Sequence, residues 1–423
     1  MKIFLDSVGC RLNQSEIETM ARQLVAAGHE VVGSSAEADH IILNTCAVTK
    51  EATRETRKKV RRFARGNDAV EISVTGCHAT LSPDSIAALP NVREVVVNAD
   101  KASLVQRIDP RASIDLPMFE QEPIVREAGG FGNTRAFIKV QDGCKNKCTF
   151  CITTVARGEG VSRHIADVVT EIQMLAGAGY QEAVLTGVHL GSYGHDFGNM
   201  AGLRDLVRMI LEHTDIPRLR LSSLEPWEIA PDFFELWQNP RLLPHLHLPL
   251  QAGSDRTLRK MARKTSQKAF SGLVREARAA IPNLNVTTDV ICGFPGETEA
   301  DFEESLGFVE AVGFGRLHVF TYSAREGTAA AKMPGQLAKV TKKERTRRMI
   351  ALSEKMALAF NQQQVGKRTN VLWEAVAGAD ENGMRWQGYT DNYVRALGYG
   401  EKLLNVVERV EVEGGSADFV TVG

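Results

Sequence analysis

From Lys2 to Thr321 the chain alternates short apolar runs with amphipathic helical stripes, and few folds accept that pattern. Repeated strand-then-helix units build a parallel sheet covered by helices, because each parallel connection needs a crossover that returns the chain to the same edge. The first series predicts strands at 2–5, 40–43, 71–74 and around 95–97. Between them, Ile17, Met20, Ala21, Leu24 and Val25 form one helix face, stopped by Gly28, and Ala52, Thr56, Val60 and Phe63 form another. Ser82 at N-cap and Pro83 at the first helical position predict a short third helix. From about 109 to 134 the periodicity gives way to Pro110, Pro117, Pro123 and Gly129-Gly130, a linker composition. A second series carries six strands, at 136–140, 183–186, 218–222, 245–248, 285–291 and 316–321, which fits a partial barrel better than a closed eight. Beyond Val365, β-branched runs at 370–373, 393–394, 406–407 and 419–422, punctuated by glycines, predict a small β-barrel. The reading is α/β: a parallel-sheet βα domain over 1–110, a linker over 111–133, a six-unit partial barrel over 134–362 and a β-barrel over 363–423.

No apolar run approaches the ~18 residues needed to cross a bilayer, and the first residues lack the order of a signal peptide. The expectation is a cytoplasmic protein with no membrane contact. Lysine and arginine number 51 against 52 acidic residues, so only local patches can argue for nucleic acid. Seven cysteines are too few for a disulfide scaffold of this length, which makes their positions matter more than their number.

Cys144, Cys148 and Cys151 follow a predicted strand directly, spaced by three and then two residues. Three thiolates so spaced can wrap one face of a cuboidal iron-sulfur cluster, since thiolate is the soft ligand such iron prefers. A zinc site would need a fourth ligand, and the nearest following histidine, His164, is thirteen residues beyond Cys151. The triplet leaves one iron open for a substrate or cofactor. Cys10, Cys46 and Cys77 each close a predicted strand of the first series, in Val8-Gly9-Cys10, Asn44-Thr45-Cys46 and Thr75-Gly76-Cys77. Strand ends of a parallel sheet share one edge, so these three should converge. Cys292 reads as a buried core thiol, and His245 and His247 as core or rim histidines.

The Cys144 spacing resembles that of the radical S-adenosylmethionine superfamily. Lys139-Val-Gln-Asp-Gly-Cys144, Arg157-Gly158, Leu185-Thr-Gly-Val-His-Leu-Gly191, Leu221-Ser-Ser-Leu-Glu-Pro226, Pro249-Leu-Gln-Ala-Gly-Ser254, Gly293-Phe-Pro-Gly-Glu297 and Phe320-Thr-Tyr-Ser-Ala-Arg-Glu-Gly327 extend the likeness. With the two cysteine sets, the whole chain resembles the methylthiotransferase family, and its last ~60 residues a TRAM domain. Gly9-Cys-Arg-Leu-Asn-Gln-Ser-Glu16 and Asn44-Thr-Cys-Ala-Val-Thr49 look most like the threonylcarbamoyladenosine branch. Cys151-Ile-Thr-Thr154 and Gln251-Ala-Gly-Ser254 depart slightly from the family's usual Cys-Ile-Ile-Pro and Gln-Ser-Gly-Ser.

The resemblance implies two 4Fe-4S clusters, one on Cys144, Cys148 and Cys151 and one on Cys10, Cys46 and Cys77, together with S-adenosyl-L-methionine. The first cluster would split S-adenosylmethionine to give a radical that removes hydrogen, so no side chain is assigned as catalytic. The second would carry the sulfur that is transferred. Cofactor contacts carried over by position are Phe150 near the adenine, Gly187 near the methionyl group, Ser222, Ser223 and Glu225 near the ribose, and Gly293 and Gly296 shaping the adenine side. The reaction implied is methylthiolation of carbon 2 of N6-threonylcarbamoyladenosine at tRNA position 37. The alternatives are isopentenyladenosine in tRNA, an aspartate of a ribosomal protein, or a non-catalytic iron-sulfur RNA-binding redox sensor. Partners implied are a tRNA anticodon stem-loop and an electron donor such as a flavodoxin or ferredoxin, with the chain a monomer.

Residues 50–65 hold eight basic side chains against two acidic, including Lys58, Lys59, Arg61 and Arg62, on the helix after Cys46. Further basic runs lie at 256–268 and 339–348. Neutralising phosphate is the functional expectation. From 361 to 423 acidic residues outnumber basic ones nine to six, so the barrel must bind RNA through a local surface, with Tyr393 and Arg395 as stacking and hydrogen-bonding candidates beside Tyr389 and Asn392.

Overall fold

A computed structural model describes residues 1–112, 134–381 and 383–423. The first five strands, β1 (Lys2–Ser7), β2 (Glu30–Val31), β3 (His40–Thr45), β4 (Glu71–Gly76) and β5 (Val92–Val96), form one parallel sheet in the order β2-β1-β3-β4-β5. Side chains alternate across it. Ile3, Leu5 and Ile42 meet Ile17, Met20 and Leu24 of helix α1 (Arg11–Ala26) on one face. Ile41, Leu43, Ile72 and Val74 meet Val60 and Phe63 of α2 (Lys50–Gly66) on the other. Helices on both faces explain why β3 is apolar at nearly every position. The order also creates a switch point between β1 and β3, where successive connections leave in opposite directions and a crevice opens at the strand ends.

The second series supplies β6 (Arg135–Asp142), β7 (Val161–Ser162), β8 (Glu182–Gly187), β9 (Arg218–Leu221), β10 (His245–His247), β11 (Asn285–Cys292) and β12 (Arg316–Thr321). Hydrogen bonding runs β6-β8-β9 and β10-β11-β12, with parallel bridges Leu219–Leu242 and Ser223–His247 joining the two sets. The result is the six-stranded half-barrel, with β7 added antiparallel along β6. α1 docks against β6, where Ser15 Oγ accepts from the Lys139 amide at 3.1 Å.

The final segment closes a barrel from β13 (Arg368–Asp380), β14 (Gly383–Thr390), β15 (Arg395–Tyr399), β16 (Val407–Gly415) and β17 (Val420–Val422) around Trp373. Three local differences from the sequence reading stand out. The run at 393–394 is not a strand: Tyr393 has φ of 66° and lies in the turn between β14 and β15, where its amide donates to the Thr390 carbonyl and the Val394 amide to the Thr390 hydroxyl. β2, β7 and β14 escaped the periodicity, the first two being two residues long and the third glycine-interrupted. Helix Pro83–Ala87 begins as expected, but Ser82 makes no side-chain cap bond. The linker reading lies, from residue 113 on, outside the described residues.

A candidate active site at the strand ends

Cys10, Cys46 and Cys77 follow β1, β3 and β4, and all three line one cavity of about 1130 Å³. Two glycines make their approach possible. Gly9 has φ of +107°, and a Cβ there would lie 2.7 Å from Cys46 Sγ. Gly76, at φ +99°, packs against the Thr45 backbone with no room for a side chain. All seven cysteines are free thiols. Burial pushes Cys46 up to about 11 and raises Cys10, so these thiols stay protonated unless a metal takes the proton's place.

The Cys144 loop stands beside this wall. Cys77 packs on Ala156, five residues past Cys151, and Asn98 Nδ2 reaches both the Ala156 carbonyl (2.7 Å) and Cys77 Sγ (3.7 Å). Backbone amides two residues on donate to sulfur at Cys46 (from Val48, 3.4 Å), Cys144 (from Asn146, 3.3 Å) and Cys151 (from Thr153, 3.4 Å). Arg263 Nη1 approaches Cys148 Sγ at 3.8 Å. Such donors stabilise thiolate ligands and tune a cluster's potential. Among the described residues no three His, Cys, Asp or Glu side chains are placed to hold a single metal ion. The six cysteines of the two sets are free thiols, and amide N–H groups reach one sulfur of the Cys10 set and two of the Cys144 set, the donor environment that a thiolate ligand of a larger cuboidal cluster would use.

Between the two cysteine sets lies a buried ionic joint. Glu16, on α1, accepts from Lys101 (2.7 Å), Arg157 (3.0 Å) and Lys139 (3.2 Å), while Arg157 also reaches Asp142 (2.9 Å) and Asn13 (2.8 Å). Burial alone would raise the Glu16 carboxyl, but the three cations hold it well below the usual carboxylate range. Nothing in the Arg157-Gly158 motif announces this role, because its partners Glu16, Asp142 and Asn13 lie on other parts of the chain.

The cofactor contacts carried over from the family separate into two groups. Gly187, Ser222, Ser223 and Glu225 line the cavity. Ser222 Oγ is buried without a hydrogen-bond partner, an atom that a ligand hydroxyl would satisfy. Glu225 is gripped by Arg263 through both oxygens, at 2.9 and 2.6 Å. Phe150, Gly293 and Gly296 are not in the cavity lining: Phe150 packs on the half-barrel core, Gly293 abuts Lys342, and the Gly296 carbonyl accepts from Lys260 at 2.8 Å. Cys292 is buried and pushed up to about 12 by that burial, as a core thiol should be.

The opposite wall comes from the barrel. Tyr389 and Tyr393 stack with ring centroids 4.8 Å apart, Arg135 lies 4.8 Å over Tyr389, and Arg220 lies 4.6 Å over Tyr393. The fully buried Glu182 would be raised by burial, but Arg220 and Arg218 hold it at about 2. His247 lines the same cavity and pairs with Asp289 at 3.3 Å. Arg218 and Arg220 alternate with core leucines in β9, a charged alternation in a buried parallel strand that was the one sequence signal for this cluster.

The basic runs fare differently. Arg256, Arg263, Arg345 and Arg348 are engaged by Asp301, Glu225, Glu297, Glu299 and Glu303. On α2, Lys59 pairs with Asp6 at 2.6 Å, whereas Lys58, Arg61 and Arg62 are exposed. Arg395 is also exposed, and Tyr393 is half-buried in the cavity wall. No described helix is long and apolar enough to cross a membrane.

Comparison with known proteins adds independent findings. Residues 2–98 match an uncharacterized protein family, UPF0004, and residues 138–309 match the radical SAM superfamily. Over 416 residues, 96% of this chain and 92% of the relative, the sequence is 36% identical to a Bacillus subtilis (strain 168) protein named threonylcarbamoyladenosine tRNA methylthiotransferase MtaB. It is 34% identical, over 88% of this chain and 75% of the relative, to a Corynebacterium diphtheriae protein named tRNA-2-methylthio-N(6)-dimethylallyladenosine synthase. The fold is similar to that of the radical S-adenosylmethionine methyltransferase TsrM from Kitasatospora setae, with a TM-score of 0.57 and 17% identity over 78% of this chain and 77% of that one.

Proposed function

The chain belongs to the radical S-adenosylmethionine tRNA methylthiotransferases, and on that footing we propose that it attaches a methylthio group to carbon 2 of N6-threonylcarbamoyladenosine at tRNA position 37, beside the anticodon. The observation that carries the proposal is one cavity lined by the Cys10, Cys46 and Cys77 thiols, by Thr153 and Arg157 of the helix that follows Cys151, and by the Tyr389–Tyr393 stack, although Cys144, Cys148 and Cys151 are not themselves among its lining residues. Its volume exceeds the roughly 300–1,000 Å³ usual for a single small ligand, so a nucleotide and a cofactor have room together.

In this reading Cys144, Cys148 and Cys151 hold the 4Fe-4S cluster of the superfamily, and Cys10, Cys46 and Cys77 hold a second. When bound, the first cluster with S-adenosylmethionine supplies one-electron chemistry that activates a carbon–hydrogen bond. The chain's own residues do the positioning. Ser222 and Glu225 meet the cofactor's hydroxyls, the Glu16–Arg157 joint keeps the two thiol sets in register, and the tyrosine stack receives the flipped-out base. Residues 1–110 would carry the sulfur site, 134–362 the radical site and 363–423 the RNA contact, with the exposed face of α2 neutralising phosphate. A flavodoxin or ferredoxin supplies the electron, and the chain acts as a monomer in the cytoplasm.

Dimethylallyladenosine is the second reading, supported by the 34% identity to the synthase named for it. An isoprenoid substituent wants an apolar wall, and the wall around Tyr393 carries Arg135, Arg220 and His245 instead. Mass spectrometry of tRNA nucleosides from cells with and without the gene tests the choice. Loss of the methylthiolated threonylcarbamoyl nucleoside is the expected result; its persistence at normal amount overturns the substrate reading.

A further inference from the structure

Beyond its polar ureido and hydroxyl groups, a threonylcarbamoyl substituent carries a charge that an isopentenyl group lacks, a carboxylate. A carboxylate brought into a protein cavity needs a cation that is not already spent. Six arginines line the cavity: Arg11, Arg135, Arg157, Arg220, Arg316 and Arg395. Four are paired, Arg135 with Glu374, Arg157 with Glu16 and Asp142, Arg220 with Glu182, and Arg316 with Asp418. Among the described residues, Arg11 and Arg395 have no carboxylate at salt-bridge distance. Their recorded polar partners are neutral, Gln14 Oε1 at 3.0 Å and Gln387 Oε1 at 2.8 Å.

The position of Arg11 separates it from Arg395. It directly follows Cys10, and its guanidinium lies 5.0 Å over the ring of Phe137, another cavity residue. A guanidinium lying over an aromatic face is held in place while its N–H edge stays available for a two-point carboxylate contact. Its charge also reaches both tyrosines: burial raises Tyr389 and Arg11 acts against that rise, while at Tyr393 burial is outweighed by Arg135 and Arg11, which bring it below its ordinary value. In the modified nucleoside the outer ureido N–H, the one borne by the amino acid, is placed to close a six-membered hydrogen-bonded ring onto ring N1, and that conformation puts the amino-acid carboxylate on the N1 side of the base, next to carbon 2. A base stacked at the tyrosines with carbon 2 toward Cys10 therefore presents its carboxylate to the residue after Cys10. We propose that Arg11 is the carboxylate receptor that selects a carboxylate-bearing N6 substituent over an uncharged one.

This inference rests on the threonylcarbamoyl reading above, and one binding experiment separates the two. The full chain, reconstituted anaerobically, is titrated with anticodon stem-loops carrying N6-threonylcarbamoyladenosine, its carboxamide analogue, or isopentenyladenosine at position 37, with affinity read by fluorescence anisotropy. The native chain should bind the carboxylate loop about tenfold to a hundredfold more tightly than the carboxamide loop, the range for a charged hydrogen bond. Arg11→Gln should abolish that ratio by weakening only the carboxylate loop, and Arg11→Lys should keep part of it. Unchanged binding of the carboxamide loop shows that the variant is folded. If Arg11→Gln keeps the ratio, or weakens both loops alike, the Arg11 assignment is wrong while the substrate reading stands. If the native chain prefers the isopentenyl loop, the substrate reading itself falls, and the receptor with it.

Discussion

Replacing Glu16 by glutamine should loosen the joint that sets one cysteine triad against the other. The Glu16 side chain is 3% exposed and takes four donors: Lys101 at 2.7 Å, Asn44 at 2.8 Å, Arg157 at 3.0 Å and Lys139 at 3.2 Å. Glutamine keeps one acceptor oxygen but turns an amide N–H toward cations, and it leaves Lys101 without its buried counter-charge. Breaking a buried pair in this way costs about 3–5 kcal/mol. At roughly 3 °C per kcal/mol for a unit of this size, the transition containing the N-terminal sheet should fall by on the order of 10 °C. The assay is calorimetry of the metal-free protein at neutral pH, beside Arg157→Met, which strands Glu16 less because two lysines remain. The pH dependence has a definite sign. The Glu16 carboxyl is depressed in the folded state, so its stabilisation is fully present above the unfolded value near 4.3 and fades as pH falls through the lower folded value. The gap between the native chain and Glu16→Gln should therefore narrow below about pH 4. A shift under about 1 kcal/mol at pH 7, the size of an ordinary surface pair, or a gap independent of pH, would refute the joint.

Converting Cys10, Cys46 and Cys77 together to alanine should remove about four of about eight irons from the reconstituted protein, while the Cys144 set keeps its share; iron analysis with electron paramagnetic resonance reads this, and unchanged iron contradicts the second cluster. Tyr389→Ala should weaken stem-loop binding by about 1–3 kcal/mol, the range for a lost base stack, with little effect on affinity for S-adenosylmethionine alone. Arg263→Met frees Glu225 and removes a donor near Cys148, so it should weaken S-adenosylmethionine binding by calorimetry and move the cluster potential in a film-voltammetry measurement. Reversing Lys58, Arg61 and Arg62 to glutamate should flatten the salt dependence of tRNA affinity by about one unit of slope per lost phosphate contact; an unchanged slope places the phosphate surface elsewhere.

The chain's linear pattern carried most of the architecture because periodicity is a local property. Strand β3 and the face Thr56, Val60 and Phe63 of α2 were legible from spacing, as were all six half-barrel strands. Tyr393 was misread for an equally local reason: its β-branched neighbour and aromatic ring mimic a strand, while the left-handed turn is imposed by Thr390 and by Asn285 holding the Asn392 carbonyl. The basic runs were only half informative, because nothing in a run of lysines and arginines tells which of them meet Asp301 or Glu299 from another element.

What the order of residues determined alone was the class of chemistry: three thiols spaced for a cluster, and three more at the ends of consecutive parallel strands, which any such sheet gathers along one edge. What awaited the folded chain was who is neutralised by whom. Glu16 meets Lys101 across 85 residues, and Arg135 meets Tyr393 across 258. Coulomb energy depends on distance and burial in space, so the surplus charge of Arg11 shows only once the fold has brought Glu374, Glu16, Glu182 and Asp418 to the neighbouring cavity arginines.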